Sequence, residues 1–149
     1  MTISDQINAD FMEAYKAKDG AKSSALRMLK NAIKNAEIEK RSPLDDTETI
    51  KLLRKELKSR EEATADYNKG GRGEMAEKEE NEAKLISTYL PAEMSDEDIK
   101  KIIESTSSEQ NISSISDFGK LMSALMPKVT GKADGSRVSA LAREYLNNA

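Results

Sequence analysis

Residues 118–126 read FGKLMSALM, and residues 138–146 read VSALAREYL. In each stretch the apolar side chains recur at i, i+3, i+4, i+7 and i+8, which places them on one face of an α-helix. Two such helices bury both apolar faces only by packing against each other and against a third helix. The two stretches therefore predict a C-terminal three-helix unit, and its third helix is expected to carry Ile99, Ile102 and Ile103.

The rest of the chain has the same helical character. Segments with a helical apolar period are separated by glycine, proline and serine, and no segment alternates apolar and polar side chains as a strand does. We therefore predict an all-α fold with about seven helices, the first capped by Ser4, the fifth by Ser95 and the sixth by Ser116. The expected helices cover residues 4–19, 23–41, 46–69, 73–89, 96–107, 117–126 and 135–147, with Asp134 capping the last and residues 105–116 forming a loop.

The short connector of residues 91–95, PAEMS, is the predicted boundary between two small subdomains. Pro91 ends the fourth apolar-periodic segment, and Ser95 starts the fifth. Residues 1–91 are predicted to form an N-terminal helical subdomain of about four helices. Residues 92–149 are predicted to form the C-terminal three-helix subdomain.

The composition excludes several kinds of site. The chain has 149 residues and no His, Cys or Trp, and its 24 Lys+Arg against 27 Asp+Glu give a net charge of −3. Disulfides, a thiol nucleophile, the usual zinc ligands and a histidine base are therefore excluded. No apolar run approaches the ~20 residues that span a bilayer, and no signal peptide is recognisable. We expect no catalytic residues, no metal, no cofactor, no membrane partner and a cytoplasmic location.

The net charge conceals an uneven distribution. Residues 91–117 hold two basic and seven acidic side chains, whereas residues 118–149 hold five basic and two acidic ones. The loop at 127–137 leads into a helix N-terminus, where free N–H groups and nearby cations can accept a phosphate. With only six aromatic residues in the chain, recognition of RNA shape and backbone is more plausible than base reading. The candidate phosphate-binding residues are Lys120, Lys128, Lys132, Arg137 and Arg143, with Gly131 and Gly135 allowing the backbone to approach.

The stretch DFGKLMSALMPK at residues 117–128, followed by GKADG at residues 131–135, closely resembles the tail motif of the GatB/YqeY family. Further segments are similar to the YqeY-like branch of that family. They are RMLK at 27–30, KELKSR at 55–60, YNKGGR at 67–72 and YLP at 89–91. The resemblance covers nearly the whole chain, and it implies an all-helical, two-subdomain fold and a bacterial source.

The resemblance also implies a function. In the large GatB-type polypeptide of aspartyl/glutamyl-tRNA amidotransferase the similar tail helps to hold a misacylated tRNA, while other parts of the enzyme perform the chemistry. It implies a tRNA-binding or accessory module, with the family label carbon–nitrogen ligase activity with glutamine as amido-N-donor. Expected partners are tRNA and an amidotransferase or synthetase component, and no DNA. Two alternatives stay open, namely a helical protein–protein adaptor and autonomous transamidation by the chain alone.

Overall fold

The computed structural model describes residues 1–148, and every regular element in that range is helical. The prediction of an all-α fold with seven α-helices is confirmed. A single turn of 3₁₀ helix, Ile115–Asp117, precedes the sixth α-helix. The α-helices are α1 (Ile3–Lys16), α2 (Gly20–Lys40), α3 (Asp46–Lys69), α4 (Gly73–Ser87), α5 (Asp96–Gln110), α6 (Phe118–Val129) and α7 (Gly135–Asn147).

The caps of α5 and α7 are confirmed, and the predicted start of α1 is wrong. Ser95 accepts the N–H of Asp98, and Asp134 accepts the N–H of Ser136. Thr2, and not Ser4, caps α1, because the Thr2 hydroxyl accepts the N–H of Asp5 while the Asp5 carboxylate accepts the N–H of Thr2. This reciprocal capping box satisfies two backbone donors that a cap at Ser4 would leave open.

The predicted loop at 105–116 is wrong in its first half. Helix α5 continues through the serine-rich segment to Gln110 and ends at Asn111, which adopts the left-handed conformation (φ 54°). Thr106 and Ser107 are buried. Their small side chains lie three and four residues after Ile103, so they continue the buried face of α5 although they are polar.

The predicted limits of α6 are also wrong. Ser114 rather than Ser116 caps the 3₁₀ turn, and α6 runs past Pro127 to Val129. Proline at this position removes only its own N–H bond, which belongs to the last turn of the helix. Val129 is fully buried, and its packing holds that last turn in place.

Contacts divide the chain into two compact units, the N-terminal unit of Met1–Leu90 and the C-terminal unit that begins at Pro91. In the N-terminal unit α1 packs on α2, α3 packs on α4, and α3 also contacts α1 and α2. Tyr15 lies one residue before the end of α1 and is exposed, and its ring centre lies 6.1 Å from that of Phe11. The buried core consists of Ile7, Ala14, Leu26, Leu29, Ile33, Leu53 and Ile86.

Polar side chains also connect helices within the N-terminal unit. The Arg60 guanidinium of α3 lies 3.2 Å from Glu79 and 3.5 Å from Glu82 on α4. The Tyr89 hydroxyl, just after α4, donates to the Asp10 carboxylate of α1. Burial and, to a smaller extent, this bond to a carboxylate raise the pKa of Tyr89 above its usual range.

In the C-terminal unit, α5, α6 and α7 pack pairwise against one another. This arrangement confirms the three-helix unit that the two apolar stretches predicted. The connector of residues 91–95 is held to the rest of this unit by Met94, whose N–H donates to the carbonyl of Lys132 at 2.9 Å. The buried core consists of Ile99, Ile103, Ile112, Leu121, Leu125, Val129, Ala133, Val138, Ala142 and Leu146.

None of the helices within residues 1–148 is both long enough and apolar enough to cross a bilayer.

Candidate nucleic-acid interface

The five predicted phosphate-binding cations all lie in the C-terminal unit, but their surroundings differ. Lys120, Lys128, Lys132 and Arg143 are exposed, whereas Arg137 is half-buried. The partners of each cation decide how much of its charge is available to an anion from outside. A cation that already faces a carboxylate gains less from a phosphate than a cation that faces water.

Arg137 is held by partners within the unit. Its Nε lies 2.9 Å from the Asp96 carboxylate, and its Nη1 lies 3.4 Å from the Glu93 carboxylate. Its Nη2 donates to the carbonyl of Met94. These contacts fasten the first turn of α7 to the connector and to the first turn of α5. Arg137 therefore serves the tertiary structure of this unit.

Lys128 is partly neutralised. Its Nζ lies 3.2 Å from the Glu109 carboxylate and donates to the Thr106 hydroxyl at 2.9 Å. An ammonium group has three donors, so one N–H of Lys128 remains for another acceptor. Lys128 thus joins α6 to α5 and still presents part of its charge at the surface.

The other three cations face no carboxylate within the described part of the chain. Lys120 donates to the carbonyl of Gln110 at 3.5 Å, where the negative end of the α5 dipole favours a cation. The Arg143 guanidinium lies 4.8 Å from the centre of the Phe118 ring. Lys132 is exposed, and its backbone carbonyl accepts the N–H of Met94. The charges of Lys120, Lys132 and Arg143 are therefore available to an external anion.

The five cations do not form one patch. Arg137 contacts the first residue of α5, whereas Lys120 contacts the last one. Helix α5 has 15 residues, so its ends lie about 20 Å apart at 1.5 Å per residue. An RNA that contacts all of these cations would have to follow the length of the unit.

The N-terminus of α7 is less open to a phosphate than the sequence suggests. The Asp134 carboxylate accepts the N–H of Ser136 at 3.1 Å. This carboxylate already satisfies one free donor of the first turn and places a negative charge beside the helix dipole. Lys132, two residues before Asp134, is the exposed cation of this loop.

The two glycines of the loop have different roles. Gly131 follows α6 with φ +79°, a left-handed conformation that favours glycine. Gly135 is the first residue of α7, and a Cβ at this position would meet the Met126 methyl carbon at an ordinary 3.7 Å. The backbone conformation therefore favours glycine at position 131 but not at position 135.

We expect Gly131→Ala to destabilise the C-terminal unit by about 1 kcal/mol, since alanine is strained at positive φ. Gly135→Ala is the matched control. We expect it to leave the unfolding free energy unchanged or to raise it by about 0.5 kcal/mol, because it restricts the unfolded chain. Urea unfolding followed by circular dichroism measures both changes. Equal effects of the two substitutions would contradict the different roles of the glycines.

A second basic region lies outside the predicted site residues. Residues 15–34 contain six basic side chains and one acidic one, a net charge of +5 that exceeds the +3 of residues 118–149. A charge count over a sliding window would have found it. In the structure this segment spans the end of α1 and most of α2.

No group of three or more metal-ligating side chains occurs within residues 1–148. An open cavity of about 620 Å³ lies between the start of α2 and α4. Its charged lining consists of Lys22 and Lys78 with Asp19, Glu74, Glu77 and Glu82. Four carboxylates against two ammonium groups do not favour an anionic ligand such as a phosphate.

Fungal proteins are similar to this chain over part of its length. The protein "Altered inheritance of mitochondria protein 41, mitochondrial" of Vanderwaltozyma polyspora is 36% identical over 85 residues, which cover 56% of this chain and 46% of that protein. The protein of the same name from Eremothecium gossypii is 34% identical over 87 residues, which cover 58% of this chain and 48% of that protein. The matched segments span about half the length of these fungal relatives.

The family comparison extends over much more of the chain. A family model described as Yqey-like protein matches residues 4–146. This range includes both compact units and every segment that carries the resemblance described above. The chain therefore belongs to the YqeY-like family.

Proposed function

We propose that the chain is a tRNA-binding or accessory module, related to the tail of glutamine-dependent tRNA amidotransferase and without catalytic groups of its own. The observation that carries this proposal is the set of three exposed cations, Lys120, Lys132 and Arg143, that no carboxylate within residues 1–148 neutralises. Such cations bind phosphates and release counterions, which is the main source of sequence-independent affinity for nucleic acid. Membership of the YqeY-like family supports the relation to the amidotransferase tail.

In this proposal the cations have unequal roles. Lys120, Lys132 and Arg143 contact phosphates directly, and Lys128 adds one contact through its remaining N–H. Arg137 contributes mainly by holding α7 against the connector and α5. Gly131 provides the turn that exposes Lys132 after α6. The proposed partners are tRNA and a component of an amidotransferase or a synthetase.

The test is a titration of labelled tRNA at about 50 and 200 mM salt. The variant combines Lys120→Gln, Lys132→Gln and Arg143→Gln. We expect at least about tenfold weaker binding at the lower salt concentration and a salt slope reduced by about 2.7, the value for three lost phosphate contacts. These three cations are better targets than Lys128 or Arg137, whose removal would also break contacts inside the unit.

The matched control removes three exposed lysines elsewhere, Lys55, Lys100 and Lys101. It changes the net charge by the same amount, so it separates a local contact from a general attraction. If both triple variants lose the same affinity, or if neither loses any, the proposed interface is wrong. If the purified chain converts Glu-tRNA to Gln-tRNA in the presence of glutamine, the chain has catalytic groups of its own, and that part of the proposal is wrong.

A second candidate function is a helical protein–protein adaptor. Exposed apolar side chains on α2, Met28 and Ile38, favour it. The adaptor function predicts a protein partner and no salt-dependent retention of RNA. The titration above distinguishes the two functions, because an adaptor would bind tRNA no better than a protein of the same charge.

The proposed location is the cytoplasm. The fungal relatives are named as mitochondrial proteins, so the mitochondrion is the competing location. Cell fractionation of the tagged protein in its own source distinguishes the two.

A further inference from the structure

Two aromatic rings and two cations meet on the surface where α1 packs on α2. The rings of Phe11 and Tyr15 lie with their centres 6.1 Å apart. The Lys30 ammonium lies 4.3 Å from the centre of the Phe11 ring, and the Arg27 guanidinium lies 5.4 Å from it. The Tyr15 side chain is 61% exposed, whereas Phe11 packs against the core. We call these four residues, together with Lys34, the basic–aromatic face.

The cations of this face keep their charge. Within the described chain no ion pair engages Arg27, Lys30 or Lys34. Lys34 is exposed and follows Lys30 by four residues and Arg27 by seven, so the three lie on one side of α2. An aromatic ring holds a cation in place without cancelling its charge or occupying its N–H donors. The cations are therefore positioned and still available to an anion.

The nearby carboxylates are engaged elsewhere or point away. Asp10 accepts hydrogen bonds from Tyr89 and Gln6, and Asp19 caps the N-terminus of α2. Glu13 is two residues from both Phe11 and Tyr15, and that spacing places it on a different side of α1. The acidic side chains of α1 therefore do not neutralise the face.

We propose that the basic–aromatic face binds unpaired nucleotides of single-stranded RNA, with a base stacked on Tyr15 and phosphates on Arg27, Lys30 and Lys34. The exposed tyrosine ring favours RNA over an acidic protein segment, because a base presents a broad aromatic face that stacks on the ring, whereas the negative face of the ring repels a small carboxylate anion. Single-stranded nucleic acid offers both a flat base and a phosphate within one nucleotide. Paired bases in a duplex are covered by their neighbours and do not reach the ring.

The inference rests on the proposed function only in the choice of RNA as the ligand, since its residues lie in the N-terminal unit. It adds to the phosphate contacts of the C-terminal unit a surface that recognises unpaired nucleotides. The two surfaces can therefore be tested with different substitutions in the same full-length chain.

The experiment measures fluorescence anisotropy of a labelled single-stranded RNA of about 12 nucleotides, within the range that such sites occupy. A duplex RNA of the same length is the comparison. We expect the single strand to bind more tightly than the duplex. Tyr15→Ala should weaken single-strand binding about tenfold, and Tyr15→Phe should bind within about twofold of the wild type, because stacking needs the ring and not the hydroxyl.

The double variant Arg27→Gln, Lys30→Gln tests the phosphate contacts. We expect more than about tenfold weaker binding and a salt slope reduced by about 1.4, the value for two contacts to a single strand. The control is Lys100→Gln, Lys101→Gln, which removes two exposed lysines of the C-terminal unit. Circular dichroism and the urea midpoint verify that each variant is folded.

Several outcomes would overturn the inference. The first is that Tyr15→Ala binds single-stranded RNA as tightly as the wild type does. The second is that duplex and single-stranded RNA bind equally. The third is that a polyglutamate peptide or anionic vesicles bind more tightly than RNA. The two surfaces remain distinguishable. If only the Lys120, Lys132 and Arg143 variant loses tRNA binding, the proposed function is supported and the basic–aromatic face is contradicted. If only the Tyr15→Ala variant loses binding, the face is supported and the proposed interface of the C-terminal unit is contradicted.

Discussion

Leu125→Ala is expected to destabilise the C-terminal unit by about 3 kcal/mol, the middle of the range for leucine truncation in a packed core. Leu125 is fully buried in the core that α5, α6 and α7 share. Removing its side chain leaves a cavity that three rigid helices cannot close completely. A unit of this size has a small reserve of stability, so we expect it to be partly unfolded at physiological temperature.

The matched control is Met126→Ala on the next residue of the same helix. Met126 was predicted on the same apolar face, but it is 37% exposed, and its truncation is expected to cost less than about 1 kcal/mol. Hydrogen exchange of the α6 amides, measured by mass spectrometry, reports the stability of this unit separately from that of the N-terminal unit. Equal protection losses in the two variants would show that the core does not contain Leu125 as described.

Arg137→Ala is expected to cost about 2 kcal/mol in the same unit. The substitution removes a charge-assisted hydrogen bond to the Met94 carbonyl and leaves Glu93 and Asp96 beside each other without their cation. Hydrogen bonds to charged groups contribute about 1.5–3 kcal/mol, and exposed ion pairs add little more. We expect the largest loss of hydrogen-exchange protection in residues 91–99, where the connector meets α5.

Lys132→Ala is the control for Arg137→Ala. Lys132 lies in the loop before α7 and its side chain is exposed. We expect its truncation to change the unfolding free energy by less than about 0.5 kcal/mol. The two variants should also differ in RNA binding. We expect Lys132→Ala to lower the salt slope of binding more than Arg137→Ala does. The Arg137→Ala protein is measured at a temperature at which it is folded. A stable Arg137→Ala protein with the larger loss of RNA affinity would reverse the assignment of the two residues.

Much of the fold was predictable from local patterns. The spacing of Leu121, Leu125, Val138 and Leu146 predicted two helices with buried faces, and all four side chains are buried. The N-cap at Asp134 was readable because its hydrogen bond spans only two residues. The burial of Ser107 and the extension of α5 beyond it to Gln110 were not predictable in this way. Serine is common in loops, and only the contact with neighbouring helices shows that this serine lies on a buried face.

The candidate interface was predictable only in part. The sequence shows where the cations are, and four of the five predicted residues are exposed as a binding role requires. It does not show their partners, because these partners are far apart in sequence. Arg137 and Glu93 are 44 residues apart along the chain, and Lys128 and Glu109 are 19 residues apart. The meeting of Phe11 and Tyr15 with Arg27 and Lys30 likewise depends on how α1 packs on α2.

Helix content, apolar faces and the caps at Ser95 and Asp134 follow from the amino-acid sequence, because they depend on interactions within a few residues. The availability of each charge was decided by the tertiary structure. Lys120, Lys132 and Arg143 face no carboxylate among residues 1–148, whereas Arg137 is ion-paired. The physical reason is that the energy of a charge depends on its distance through space to the opposite charge, and only folding sets that distance.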